Sequence, residues 1–354
     1  MVHKKVKRII SAVLITMMAA VVFTGCAGSK NAEDSGGTLN VFNWTEYLPK
    51  SVIKEFENKY HIKVNYTTYS SNEEMLAKVQ ASSGQYDVAV ASDYMVDIMK
   101  KQKLLEEVDK SNISNLKNIG ADYKNQFFDP GNKYSIPYLC GNVVVVVNTK
   151  KFPEGITSYG DLWDSKFKGS MVVLDDERAI IGMALKKLGY SLNETDTNKL
   201  NQAKEELKKL KPNIKLFDSD SPKTSLINGE ASVGFCWTAE AYLAEKDNKD
   251  LKTFFPKEGL YANEDNLVIP KDAKNKKNAE LFMNFILDPK VSVEISRAYP
   301  YTNPNDAARK MLGVEYTDNK TIYPDKDVVD KSEHVKDLGD TTKLYDSIWT
   351  EFKQ

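Results

Sequence analysis

Aromatic and carboxylate side chains recur together in this sequence just beyond short apolar runs. Leu39 to Phe42 leads into Asn43-Trp44-Thr45-Glu46-Tyr47, and Asp87 to Ala91 into Ser92-Asp93-Tyr94. Met171 to Leu174 is followed by Asp175-Asp176-Glu177, Ser232 to Cys236 by Trp237 with Glu240 three residues on, and Glu264-Asp265 stands before Asn266 to Ile269. Carboxylates hold ammonium groups through charge-assisted hydrogen bonds, while aromatic rings cover methylenes and attract cations through their faces. Gathered at one cleft, these residue types suit an elongated organic cation. Each also has a simpler reading. A Trp or Tyr after a strand can belong to the core, Asp175 or Asp176 precedes a helical stretch and one is expected to cap it, and Glu240 reads as a solvated helix residue. The weight lies in the repetition at five strand ends.

The elements that must carry these residues are legible as alternating short strands and amphipathic helices. Strands are expected at Leu39 to Phe42, Ile62 to Thr68, Asp87 to Ala91, Val143 to Val147, Met171 to Leu174, Ser232 to Cys236 and Leu267 to Ile269. Helical patterns lie at Val52 to Tyr60, Asn72 to Ser82, Tyr94 to Lys101, Ile180 to Leu188, Asn198 to Leu210, Ala239 to Lys246 and Ala279 to Leu287. A last helix, Thr341 to Phe352, aligns Leu344, Tyr345, Ile348, Trp349 and Phe352 on one stripe that must pack. Ser71 or Asn72 and Asn278 supply helix-start signals, and Pro289 ends one helix or opens the next. Strand–helix alternation implies an α/β fold of mainly parallel sheets covered on both faces, where ligands bind beyond the carboxyl ends of the strands.

The chain has 354 residues, long enough for two lobes. It carries 49 Lys+Arg against 50 Asp+Glu, but Lys4, Lys5, Lys7 and Arg8 stand ahead of an uncharged, mostly apolar stretch from Ile9 to Phe23. At ~1.5 Å per residue that stretch is too short to cross a ~30 Å hydrocarbon core, so residues 1–25 read as a signal peptide. The small residues before Cys26 resemble a lipoprotein cleavage site, whose chemistry needs a thiol to carry the lipid; 26–37 then form a small, polar tether. The rest holds 45 bases against 50 acids, which argues against a nucleic-acid partner. The histidines are His3, His61 and His334, there is no CxxC pair, and Cys140 and Cys236 are expected to be free buried thiols. No catalytic triad, metal site or cofactor is expected.

With these residues in view, the sequence closely resembles the spermidine/putrescine-binding proteins of polyamine ABC transporters. The stretches that carry the resemblance are FNWTEYLP (Phe42 to Pro49), YDVAVASDYMVD (Tyr86 to Asp97), YSIPY (Tyr134 to Tyr138), DLWDSKFKGS (Asp161 to Ser170), MALKKLGYS (Met183 to Ser191), FPKEG (Phe255 to Gly259) and NPNDAARK (Asn303 to Lys310). The resemblance implies a two-lobed, periplasmic-binding-protein-like clamp with hinge strands between the lobes. Lobe 1 would comprise 38–140 and 265–309, and lobe 2 141–264 and 310–354, closing on ligand. It implies Trp44, Thr45, Glu46, Tyr47, Ser92 and Tyr94 as binding residues, Asp176 as an acidic ligand, Trp237 and Tyr301 as rings in the cleft, and Asp265 as the anchor of a terminal amine. Ala179, Asn263 and Val335 depart from the spermidine-binding pattern, whereas Glu240 falls where putrescine-preferring members carry an acid. The balance leans to putrescine.

The function so implied is capture of a polyamine by a monomer, anchored through Cys26 outside the cytoplasmic membrane, and delivery to an ABC permease; the membrane is touched only through the lipid. Two rival chemistries remain in the residues. Asp175/Asp176 or Glu264/Asp265 could serve as the acid and base of a hydrolase, although adjacent residues seldom flank one scissile bond. Tyr299 and Tyr301 with His61 could bind ferric iron.

Overall fold

A computed structural model describes residues 36–354. The expected signal peptide, Cys26 and nearly all of the tether lie outside the described residues; the tether's last residue, Gly37, already opens the first strand. Ten strands form one sheet: β1 (Gly37–Trp44), β2 (Ile62–Tyr69), β3 (Val88–Ser92), β4 (Ser135–Asn148), β5 (Met171–Val173), β6 (Ile214–Phe217), β7 (Val233–Trp237), β8 (Leu251–Phe254), β9 (Tyr261–Val268) and β10 (Glu333–His334). The order is β2-β1-β3-β9-β4-β7-β5-β6, with β8 beside β4 and β10 beside β9.

Strand direction divides this sheet physically. β2, β1 and β3 are parallel at one end, β7, β5 and β6 at the other, and helices supply the crossovers. Between them, β9 and β4 run antiparallel to each other and to their neighbours β3 and β7. β4 is fourteen residues long. Its first half pairs with β9 and its second half with β7 and β8, so this one strand passes from one parallel set to the other. A register shift between Pro137 and Leu139 absorbs the proline, which has no N–H for a ladder.

Both faces of the sheet are buried. Leu39, Val41, Val88 and Val90 join Phe56, Phe282 and Phe285 in one core, while Phe42, Ala89 and Ala91 face a second core that runs through Val143–Val147. The helix starts follow local chemistry. Ser71 accepts from the Glu74 N–H, and Asp288 caps the helix opened by Pro289. Asn278 does not cap: helix Lys276–Ile286 begins earlier, and the Asn278 amide reaches the Thr38 carbonyl instead. The last helix, Thr342–Lys353, buries Tyr345, Ile348 and Phe352, with Trp349 and Phe352 edge-on to Phe217. Cys140 and Cys236 are unpaired thiols.

Candidate functional site

The strand ends meet at one cleft. It is lined by Trp44, Thr45, Glu46 and Tyr47, by Ser70, Asn72 and Ser92, by Asp176, Ser219, Asp220, Trp237 and Glu240, and by Tyr261, Asn263, Asp265 and Tyr301. The space between its walls, open solvent at the mouth included, is about 580 Å³. Of the residues expected to bind an amine, Tyr94 is the one that does not line it. Tyr94 sits in the helix after β3, buried, its hydroxyl donating to Glu73 at 2.9 Å and its ring facing Arg178.

Asp265 occupies mid-strand, although its polar neighbours in the sequence mark only the approach to a strand. β9 begins at Tyr261, and Asp265 stands opposite Ser92 of β3 and Leu139 of β4. The two-residue period of a strand therefore sends Asn263 and Asp265 into the cleft and Glu264 to the opposite face, where it lines a separate cavity with Cys140 and His334. Both Asp265 oxygens are oriented. Oδ1 accepts from Ser92 Oγ at 2.6 Å; Oδ2 accepts from the Tyr47 hydroxyl at 2.6 Å and Asn263 Nδ2 at 3.1 Å. Asn72 Nδ2 in turn donates to Ser92 Oγ at 3.0 Å. Burial lifts the Asp265 carboxyl to about 6; the hydrogen bonds from Ser92 and Tyr47 hold it from rising further, and neighbouring Asp93 opposes them.

Asp176 combines both roles weighed for it. Its Oδ1 caps helix Glu177–Lys187 by accepting from the Ala179 N–H at 2.8 Å, and its carboxylate lines the cleft. Burial raises its pKa against that bond and the nearby Arg178 charge. Among the described residues neither Asp265 nor Asp176 forms an ion pair. Adjacent Asp175 turns away, to Lys353 at 2.7 Å on the last helix. Neither adjacent carboxylate pair thus faces the cleft together. Tyr299 and His61 do not line the cleft either.

The rings form walls. Trp44 lies 4.6 Å from Tyr69, Trp237 stands edge-on to Tyr261 at 5.8 Å, and Tyr47 contacts Tyr301 edge-on at 5.0 Å and Tyr138 at 5.4 Å. Glu46 holds a left-handed backbone, φ 51°, where the chain leaves β1; such a conformation in a non-glycine residue is strained and recurs at binding sites. Glu240 is buried but not solvated. Its two oxygens accept from the Lys223 ammonium at 3.0 and 3.1 Å, and the same ammonium pairs with Glu46. Burial lifts Glu240 to about 7, with the Lys223 charge pulling the other way. Ser70, Asn72, Ser219, Asp220, Lys223 and Tyr261 are site residues that the sequence does not announce as such. Asp218-Ser219-Asp220 follow β6, so the strand-end rule would have found them had Ile214–Phe217 been recognised as a strand. Of the departures from the spermidine pattern, Asn263 lines the cleft, Ala179 donates to Asp176, and Val335 is buried in core.

Residues 51–324 match the bacterial extracellular solute-binding protein family. The spermidine/putrescine-binding periplasmic protein of Salmonella typhimurium is 41% identical, over 89% of this chain and 91% of its own length. The putrescine-binding periplasmic protein SpuD of Pseudomonas aeruginosa is 30% identical over 96% of this chain and 97% of its length. Among solved structures, the spermidine/putrescine ABC transporter substrate-binding protein PotD from Streptococcus pneumoniae superposes with a TM-score of 0.76 at 34% identity, covering 90% of this chain and 99% of that one. The TpPotD lipoprotein of Treponema pallidum gives 0.78 at 30% identity, over 89% and 99%. The two-lobed α/β fold expected from length and the resemblance is the fold of these relatives, and the chain belongs to the bacterial extracellular solute-binding proteins.

Proposed function

We propose that this chain is a polyamine receptor of an ABC transporter, binding a linear di- or triamine outside the cytoplasmic membrane and presenting it to a permease. The observation that carries the reading is the pairing of two cleft carboxylates that form no ion pair among the described residues, buried Asp265 and half-buried Asp176, with five cleft rings: Trp44, Tyr47, Trp237, Tyr261 and Tyr301. Buried carboxylates are costly unless a cation answers them, and alkylammonium ends on a methylene chain answer both the charge and the aromatic walls. Ser92, Tyr47 and Asn263 hold Asp265 ready, so little ordering is left to binding. Two charge-assisted contacts at roughly 1.5 to 3 kcal/mol each, with ring contacts at about 0.5 to 1, are compatible with micromolar affinity after ordering costs.

The mechanism in this reading is capture and closure without chemistry. Segments 38–140 with 265–309 form one jaw and 141–264 with 310–354 the other. β4 and β9 are the strands that flex between them, and the closed jaws are what the permease engages. Cys26, outside the described residues, is the lipid anchor. Among the described residues no helix is long and apolar enough to cross a membrane.

A thermal-shift panel tests the reading. Putrescine, cadaverine, spermidine and spermine are set against sugars, amino acids and ferric iron. A ligand that binds only the folded state stabilises it by about 2.7 kcal/mol at a hundredfold excess over Kd. We expect a rise in melting temperature with at least one polyamine and none with the other classes. A shift with ferric iron or a sugar alone would refute the proposal.

A further inference from the structure

The Lys223 ammonium is held in a complete cage. It donates to Glu46, to Glu240 at 3.0 Å and to Ser221 Oγ at 3.1 Å, which accounts for the three donors of an ammonium. Glu240 is almost fully buried and the Lys223 side chain only 18% exposed, so this is not a surface pair of the usual weak kind. The carboxylates come from different halves of the sheet: Glu46 follows β1, and Glu240 lies in the first turn of helix Thr238–Asp247 after β7. What the cage holds is four methylenes ending in an ammonium, the same chemical unit that ends a linear diamine.

Five carboxylates line the cleft: Glu46, Asp176, Asp220, Glu240 and Asp265. Lys223 answers two of them from within the chain, and Asp220 is exposed to water. Of the five, buried Asp265 and half-buried Asp176 are left without an ion pair among the described residues. A third ammonium of a longer ligand would have to displace a tethered competitor, whose effective concentration is of millimolar order or above.

We propose that Lys223 is a specificity-determining residue that fills an ammonium subsite from within the chain and thereby biases the cleft toward diamines over triamines. This rests on the polyamine reading above and adds to it the ligand's length. In the absence of Lys223, Glu46, Glu240 and Ser221 form a free third subsite.

The test is calorimetric titration of putrescine and spermidine into the wild-type chain and into Lys223→Met, Lys223→Gln and Lys223→Arg, with melting curves for each. Met keeps the stem and removes the charge, while Gln keeps a donor and covers the case in which Met fails to fold. The wild type should favour putrescine. The neutral variants should raise spermidine affinity relative to putrescine by about tenfold or more, and Arg, which keeps the charge, should retain the wild-type ratio. A ratio unchanged within twofold in the neutral variants, equal losses for both ligands, or a wild type that already favours spermidine would overturn the proposal while leaving polyamine binding intact. A wild type that binds neither amine would remove both.

Discussion

At the scale of single residues, the cleft is a set of acids kept where acids are expensive. Asp265 rises from 3.8 to about 6 chiefly through burial, a shift worth about 3 kcal/mol against ionisation. The sign follows directly. In the ligand-free fold Asp265 binds its proton more tightly than in the unfolded chain, so its contribution to stability falls as pH rises from about 4 through about 6. A bound ammonium reverses that by favouring the charged form. Putrescine affinity should therefore fall as pH is lowered from 7.5 to 5, by about tenfold for this group alone, with a proton released on binding near pH 6. Calorimetry in buffers of differing ionisation enthalpy reads both effects; a flat affinity profile with no buffer dependence would contradict it. Asp265, Trp44 and Trp237 were legible as chemistry because carboxylate and ring stand beside strand signals, and the resemblance supplied their roles. Lys223 was not, because one lysine among many announces nothing until Glu46 and Glu240 are folded onto it.

At the scale of elements, the eight expected helical stretches all overlap helices, because apolar stripes are local signals, whereas the short helices Pro222–Ile227 and Asp306–Leu312 carry no stripe long enough to announce them and Asn278 is not the cap it resembles. The expected strands match where the run is apolar, as in Val143–Val147, or alternates over seven or more residues, as in Ile62–Tyr69. β6 and β8, Ile-Lys-Leu-Phe and Leu-Lys-Thr-Phe, carry a lysine in four residues and offered no run. The first half of β4 contains Pro137, Gly141 and Asn142, which read as turn chemistry until a bulge accommodates the proline. β9 was truncated in the reading because Asn263-Glu264-Asp265 is polar; the polarity is there because one face of that strand is the site. The FPKEG stretch also gains a physical reason. Gly259 has φ +88°, and a Cβ there would stand 2.0 Å from the Lys331 carbonyl oxygen. That close approach lets the segment before β10 reach β9, through Glu333 N–H to the Leu260 carbonyl at 2.9 Å. Gly259→Ala should cost about 3 kcal/mol or more, from left-handed strain plus displacement of backbone. Gly189→Ala, with φ +78° but open space, should cost only about 1 kcal/mol. Urea denaturation of the two variants measures the difference; equal midpoints would show that the carbonyl contact does not constrain Gly259.

At the scale of the whole molecule, length alone pointed beyond one core, and strand–helix alternation gave the α/β class. The proposed division into jaws has no signal in periodicity, because each proposed jaw draws on separated stretches of the sequence. That part rested on resemblance, and the relatives carry the two-lobed fold. The central claim is that this two-lobed chain captures a polyamine with Asp265 as an anchor for ammonium. Its most direct test is a calorimetric titration of putrescine and spermidine into the wild type and Asp265→Asn at pH 7.5, with a melting curve for each. We predict one-to-one binding at micromolar Kd or tighter for at least one amine, and a loss of about a hundredfold in Asp265→Asn, roughly 2.7 kcal/mol. The variant should melt no earlier than the wild type, since a buried charge has been removed. No heat with either amine at millimolar concentration, or equal affinity in the variant, would contradict the claim.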